Sequence, residues 1–395
     1  MNYIISTALP RSGTALLTSI LNNSEQTMVV VGPNIEIYRY QRNELIKNYG
    51  SKTLKKKINF SSPIQDYFGN FYKEELLKLI LKSNLNLKFP PRLWKGFIKK
   101  SSNRVDHDSS DLIKNFNLLK GKTFKKIIEN LFHIIKITRN AKRKKIIGFN
   151  ESWNICSLPS IAKGFPKAKF LIVIRDPRAI YAALEKNASK RKELRVQMLS
   201  FIRHFRKYII LTNFFLGKKE FRKNLMIVRY EDLILKTKMQ TKKLCKFLNI
   251  KYKKSMIDVK NLKDFGKNKK FVASSAFNLN FNSFDKRPLK NWEKYLSSID
   301  VSTIEYLCHR ELKSAGYKLK FNQKNLDKVK ILQNLKKDYK KKVNWKSDNN
   351  NLEFDLKFEI ERNNDLKQNK KKFNPKFFFN LGENLNNIKN YIKKF

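Results

Sequence analysis

The stretch Leu9-Pro10-Arg11-Ser12-Gly13-Thr14-Ala15-Leu16-Leu17 follows a short apolar run, residues 3–7, and leads straight into helically spaced apolar residues. This order predicts a strand, a tight turn of small residues and a helix. Such a junction aims free backbone N–H groups and the positive end of the helix dipole at one point, where an anion binds. Arg11 adds a fixed charge whose fork of donors matches phosphate or sulfonate oxygens. A nucleoside-triphosphate loop requires G-x-x-x-x-G-K-[ST], and this stretch has one glycine and no following lysine, which argues against an ATPase.

A second segment points the same way. Lys169-Phe170-Leu171-Ile172-Val173-Ile174 has the length and continuous apolarity of a strand buried on both faces. Arg175-Asp176-Pro177-Arg178 ends it, with Asp176 suited to a helix N-cap and Pro177 to the first helical position. Arg175 then stands at the carboxyl end of a strand, the side on which open α/β sheets bind ligands. If both strands are parallel members of one sheet, Arg11 and Arg175 flank one crevice.

Further strands are expected at 28–31, 145–149 and 225–229, with helices at 14–21, 35–49, 73–82, 124–138, 158–163, 177–185, 190–216, 239–248 and 302–314. Alternation of strand and helix predicts an α/β fold, a doubly wound parallel sheet of P-loop-like type flanked by helices. Residues 50–143 have few strand signals and read as a mostly helical insertion able to shape an acceptor pocket. Residues 1–318 are expected to form one domain, and 319–395 a basic Lys/Asn-rich C-terminal extension, loosely ordered because so little of it can enter a core. Within it Leu385, Ile388 and Ile392 have near-helical spacing among lysines, fitting either a helix packed on its own domain or one lying on a membrane surface.

The two arginine segments resemble those of sulfotransferases that use 3′-phosphoadenosine-5′-phosphosulfate, the bacterial and carbohydrate type. Gly148-Phe149-Asn150-Glu151-Ser152-Trp153, Gly164-Phe165-Pro166-Lys167-Ala168-Lys169, Val228-Arg229-Tyr230-Glu231-Asp232-Leu233, Asn291-Trp292 and Ala315-Gly316-Tyr317 follow in the family's order, over about residues 1 to 318. The resemblance implies that Pro10, Arg11, Ser12, Gly13, Thr14 and Ala15 cradle the 5′-phosphosulfate, and that Arg175, with Arg178 beside it, serves the 3′-phosphate. No metal is required. Two positions depart from the family: Ala183 replaces a serine expected to help hold the 3′-phosphate, and Asn150 stands where many relatives have lysine. Loss of one hydroxyl contact to a charged group is worth about 0.5–3 kcal/mol.

Sulfuryl transfer needs a base for the acceptor hydroxyl and positive charge for the leaving phosphate. Arg11 is placed for the charge. Glu36, following the expected second strand and the turn Gly32-Pro33-Asn34, is the first candidate base, and many sulfotransferases have a glutamate there; its alternative is a first-turn glutamate favoured by the helix dipole. Glu151 is the second candidate, with a salt bridge to Arg175 or Arg178 as its alternative. His107, between Asp106 and Asp108, reads as a solvated turn, and Arg229-Tyr230-Glu231-Asp232 as a structural brace.

The formal charge of +53, from 86 basic and 33 acidic residues, reflects lysine scattered among Asn, Ile and Phe rather than one basic patch. It predicts long-range attraction of anionic donors and a weak anionic membrane contact, without specific nucleic-acid binding. Cys156, Cys245 and Cys308 are far apart in sequence, and no charged-then-apolar leader precedes the first strand. A soluble, cytoplasmic protein is therefore expected. The acceptor is expected to be a hydroxyl-bearing molecule, with a carbohydrate or glycolipid favoured and a small alcohol or tyrosine hydroxyl left open. Two other classes stay open: a nucleoside or nucleotide kinase of related P-loop ancestry, which would need magnesium and a cradle lysine that is absent, and a basic binding protein with a decayed site, of which Ala183 and Asn150 would be signs.

Overall fold

A computed structural model describes residues 2–62, 71–105, 109–190, 195–264, 269–270, 272–274, 279–280, 284, 286–341, 351–368 and 386–394. Strands β1 (Asn2–Ala8), β2 (Thr27–Val31), β3 (Ile146–Ser152), β4 (Lys169–Ile174) and β5 (Leu225–Arg229) form one sheet in the order β2-β3-β1-β4-β5. Every pairing is parallel, with Ser6 opposite both Asn150 and Leu171. All five expected strands are therefore present, within a few residues of their expected ends. Parallel strands covered on both faces must be apolar throughout, and β4 is buried from Phe170 to Ile174. Gly148 permits the close approach of β3 to β1, since a Cβ there would lie 2.2 Å from the Ile4 carbonyl oxygen.

Helix α1 (Thr14–Asn22) follows β1 on one face of the sheet. Between β2 and β3 comes α2 (Ile35–Tyr49), and the insertion then contributes α3 (Lys52–Lys57), α4 (Phe71–Lys82), α5 (Trp94–Val105) and α6 (Phe124–Thr138). After β3 come α7 (Leu158–Gly164), α8 (Pro177–Lys190), α9 (Met198–Leu216), α10 (Tyr230–Leu235) and α11 (Thr237–Leu248). Leu16, Leu17 and Leu244 from α1 and α11 pack with Ile4, Leu171 and Val173 on one face. Ile37, Leu131 and Ile209 from α2, α6 and α9 pack with Ile5, Phe149 and Ile172 on the other. The sheet is doubly wound.

The helix expected over 190–216 starts later, as α9. Its first amide, Met198 N–H, donates to Asp338 Oδ2 at 2.7 Å, a cap from a residue 140 positions away that no local pattern reveals.

The described residues of the basic extension are more ordered than its composition predicts, and Leu385 lies outside them. Beyond α12 (Arg287–Tyr295) and α13 (Ser298–Ser314), helices α14 (Lys328–Tyr339), α15 (Leu352–Lys367) and α16 (Asn386–Lys394) lie against the main body. Ile331 and Leu335 of α14 are buried, and Ile388 of α16 is buried with its N–H on Asn213 Oδ1 of α9. Ile388 is thus committed to this chain's own core. Helix α15 is held by charge. Arg203 Nη1 lies 2.6 Å from Asp355 and its Nε 3.1 Å from Glu359, while Arg206 donates twice to Glu359 at 2.6 and 2.9 Å. Arg362 reaches Glu311 at 2.6 Å. Three guanidiniums meet three carboxylates, all fully buried. Arg206 and Arg362 also both donate to the Leu307 carbonyl. The next residue, Cys308, leaves helical geometry at φ −143°, and α13 kinks there. Side chains reaching into the helical ladder are a recognised cause of a kink.

Neutralising one member of such a network strands a buried charge, which costs about 3–5 kcal/mol. Glu359→Gln is expected to lower unfolding free energy by about that amount in denaturant titrations, with an unchanged midpoint refuting the assignment. The arginines hold the Glu359 carboxyl down at about 2, against burial that raises it. A depressed carboxylate stabilises above its unfolded pKa of about 4.3 and loses that contribution as pH falls toward about 2. The Glu359→Gln variant should therefore differ from the parent at about pH 6, above that unfolded value, with the gap closing through the acid range.

Candidate active site

After β1 the chain reverses within a few residues. Ser12 N–H donates to the Leu9 carbonyl at 3.3 Å, Arg11 adopts φ 66° and Gly13 φ 89°. A left-handed residue other than glycine costs about 1–2 kcal/mol. At Arg11 that conformation serves a contact: its carbonyl accepts a 2.6 Å hydrogen bond from Arg175 Nη1, joining the ends of β1 and β4. Arg11 and Arg175, 164 residues apart in sequence, thus meet at the carboxyl edge of the sheet. Burial first, and the neighbouring Arg175 guanidinium second, push the Arg11 pKa down. Arginine keeps its proton even so. The positive pair is one that an anion would relieve.

Tyr230, first residue of α10, forms the base of this arrangement. The Arg175 guanidinium lies 4.3 Å from the centre of its ring. A Cβ at Gly13 would lie 2.1 Å from Tyr230 Cδ2, so the ring itself demands glycine there. The sequence pattern marks Tyr230 only as part of a brace; its position directly after β5 is the signal that could have found it.

Four helices directly follow strands at this edge, and three have acid at their amino ends. For α2, Glu151 Oε2 accepts N–H bonds from Asn34 and Ile35, both at 3.0 Å, with Glu36 in the first turn. For α8, Asp176 Oδ1 accepts the Arg178 N–H at 2.9 Å. For α10, Glu231 and Asp232 occupy the first turn. Helix α1 has no acid in its first turn and no side-chain cap on its amides. Its positive end thus carries no side-chain cap, with Ser12 buried, Pro10, Gly13 and Thr14 partly exposed and Ala15 exposed.

The remaining candidates lie as follows. Arg178 donates to Asp176 at 2.6–3.2 Å, to Glu305 at 2.5 Å and to the Lys318 carbonyl at 3.0 Å, over the Trp292 ring. Of these partners Glu305 belongs to α13 and carried no sequence signal. Glu231 accepts the Asp176 N–H and the Tyr317 hydroxyl, each at 3.0 Å, and burial pushes its carboxyl up. Glu36 pairs with Arg39, whose Nε lies 2.6 Å from Oε2; the Glu36 side chain is 12% exposed. Ala183 is buried in α8. Asn150 Oδ1 accepts the Ser6 hydroxyl at 2.8 Å, while its buried Nδ2 has no partner among the described residues. His107 lies outside the described residues. Among those described, no group of three or more His, Cys, Asp or Glu is placed to hold a metal ion, and no helix is long and apolar enough to cross a membrane.

The profile of the sulfotransferase family matches residues 4–254, from β1 through α11. This chain belongs to the sulfotransferase family. Among solved structures the sulfotransferase is similar to the sulfotransferase domain of the curacin biosynthetic pathway, at 15% identity over 80% of this chain and 98% of that one, TM-score 0.43. It is similar also to the sulfotransferase domain of the Synechococcus PCC 7002 olefin synthase, at 15% identity over 80% and 96%, TM-score 0.45. Retinol dehydratase, in a complex with androsterone and the inactive cofactor PAP, matches at 11% identity over 81% and 82%, TM-score 0.35. No curated protein matches in sequence.

Gly13→Ala meets both the Tyr230 ring and an unfavourable φ, and is expected to destabilise this sulfotransferase by about 1–3 kcal/mol. Adding Tyr230→Ala should remove the steric part, so a double-mutant cycle read by denaturation should give a positive coupling. Strict additivity would show that the ring does not enforce the glycine.

Proposed function

We propose that this sulfotransferase moves the sulfuryl group of 3′-phosphoadenosine-5′-phosphosulfate to an acceptor hydroxyl, with Glu36 as the base. Arg11 and the amides of residues 12–15, flanked by Pro10, are assigned to the 5′-phosphosulfate, and Arg175 to the 3′-phosphate. The observation that carries this reading is the contrast among helix ends: α1 alone of the four lacks acid, and two arginines converge beside it. The acceptor oxygen attacks sulfur as the bond from sulfur to the 5′-phosphate oxygen breaks. The hydroxyl proton passes to the Glu36 carboxylate. The products are a sulfate ester and adenosine 3′,5′-bisphosphate, whose new charge falls beside Arg11.

Glu151 is assigned a positioning role. Its bonds to Asn34 and Ile35 hold the turn that carries Glu36. Arg178 is assigned to hold the loop after β4 through Asp176. Asn150 Nδ2 offers a donor where relatives have lysine. The acceptor is proposed to be a carbohydrate or glycolipid, on the resemblance to carbohydrate-type enzymes. The insertion is suited to line its site, because Ser109 ties it to the end of β2 by a 3.0 Å bond to the Val31 carbonyl. Three buried cysteines, all free, fit the cytoplasm.

Transfer of labelled sulfonate to a panel of hydroxyl acceptors tests the reading. Glu36→Gln should lower kcat by roughly 10²–10⁴-fold, the usual worth of a general base, with donor binding nearly unchanged. Glu151→Gln should cost less and lower the melting temperature as well. The reverse ranking would exchange the two roles, and full activity in both variants would remove Glu36 as base. Arg175→Ala should raise the donor KM by at least about tenfold, the scale of one charge-assisted contact, whereas Lys337→Ala, an exposed site on α14, should leave it unchanged. Equal effects of the two would mean that the donor responds only to the general field.

A further inference from the structure

In the insertion, residues 85–89 and 122–125 run side by side. Phe89 N–H donates to the Lys122 carbonyl at 3.0 Å, Phe124 N–H to the Leu87 carbonyl at 3.2 Å, and Lys88 and Thr123 form an antiparallel bridge. A groove of about 1180 Å³ opens beside this ribbon, at or above the roughly 300–1,000 Å³ of typical small-molecule sites. None of the crevice residues lines it. Its wall is apolar, built on the stacked rings of Phe89 and Trp94, whose centres are 4.2 Å apart. Lys88, Lys120, Lys122 and Lys126 surround it, all exposed, and no acidic residue is among its lining. Lys126 has Glu129 at 3.5 Å as a solvent-exposed partner.

An apolar wall within a ring of ammonium groups complements one kind of ligand, an alkyl chain ending in an anion. We propose that this groove binds a free long-chain carboxylate, its chain against Trp94, Pro90 and Pro91 over the buried Phe89 ring and its head among Lys88, Lys120 and Lys122. Lysine stems extend the apolar surface while their heads stay in water, where they meet the carboxylate. A single chain fits better than a bilayer surface because the aromatic wall is recessed. Phe89 is 3% exposed and Trp94 half-buried, so neither ring stands proud enough to enter a membrane, whereas a chain can enter the groove.

Calorimetric titration of the whole chain with decanoate, dodecanoate and tetradecanoate, each below its micellar concentration, tests this. Saturable one-site binding should tighten by about 3- to 4-fold for each methylene buried. Trp94→Ala should weaken dodecanoate at least about tenfold, the scale of a lost aromatic wall. Lys122→Glu should weaken dodecanoate similarly but leave dodecanol binding unchanged. Absence of binding, independence of chain length, or dodecanol binding as tight as dodecanoate would overturn the proposal. Co-sedimentation with phosphatidylglycerol vesicles that depends on Trp94, without monomer binding, would assign the face to a bilayer and overturn it equally. Should Trp94→Ala fail to fold, Lys122→Glu at an exposed position decides: unchanged dodecanoate affinity there refutes the site.

Discussion

The bond from Arg175 to the Arg11 carbonyl is the contact on which the site depends. It spans the ends of two adjacent parallel strands, so it exists only if β1 and β4 pair in the observed register. It also requires Arg11 to adopt the left-handed conformation that presents its carbonyl, which strains the turn. Tyr230 supports the arrangement from the end of β5, with its ring against both the Arg175 guanidinium and the Gly13 backbone. Strand order, turn conformation and charge placement are thus coupled through one guanidinium.

Electrostatics then distinguishes that point from its neighbours. Every helix that leaves the carboxyl edge of a parallel sheet presents a positive amino end. Here Glu151, Asp176, Glu231 and Asp232 supply negative charge at three of these ends. The α1 end, without acid and with two arginines beside it, is the most favourable place for an anion. The surrounding charge of +53 draws anions in from a distance, but it is screened by salt and cannot orient them. Orientation requires the local amides and guanidiniums.

Much of this is legible in the sequence because it is local. Largely apolar runs with turn residues at their ends mark all five strands, and Arg11 and Arg175 each follow a strand's end. Asp176 and Pro177 announce the start of α8 by cap chemistry alone. What the sequence hides rests on distant partners. The acceptor of the Met198 amide is Asp338, and a partner of Arg178 is Glu305. The extension beyond residue 318 looks too polar to order because composition counts apolar burial, whereas α15 is held by ion pairs, its carboxylates with arginines of α9 and its Arg362 with Glu311 of α13. In sequence Glu151 reads as a base or an arginine partner; that it accepts two amides of the turn after β2 depends on β3 lying beside that strand.

Thermal melting with adenosine 3′,5′-bisphosphate, compared with ATP plus magnesium, tests the central claim most directly. A ligand held at about 100 times its Kd adds about 2.7 kcal/mol to the stability of the native state. The account predicts a rise of several degrees with the bisphosphate, without magnesium, and a smaller one with ATP. Equal or greater stabilisation by ATP with magnesium, or no response to the bisphosphate, would contradict it.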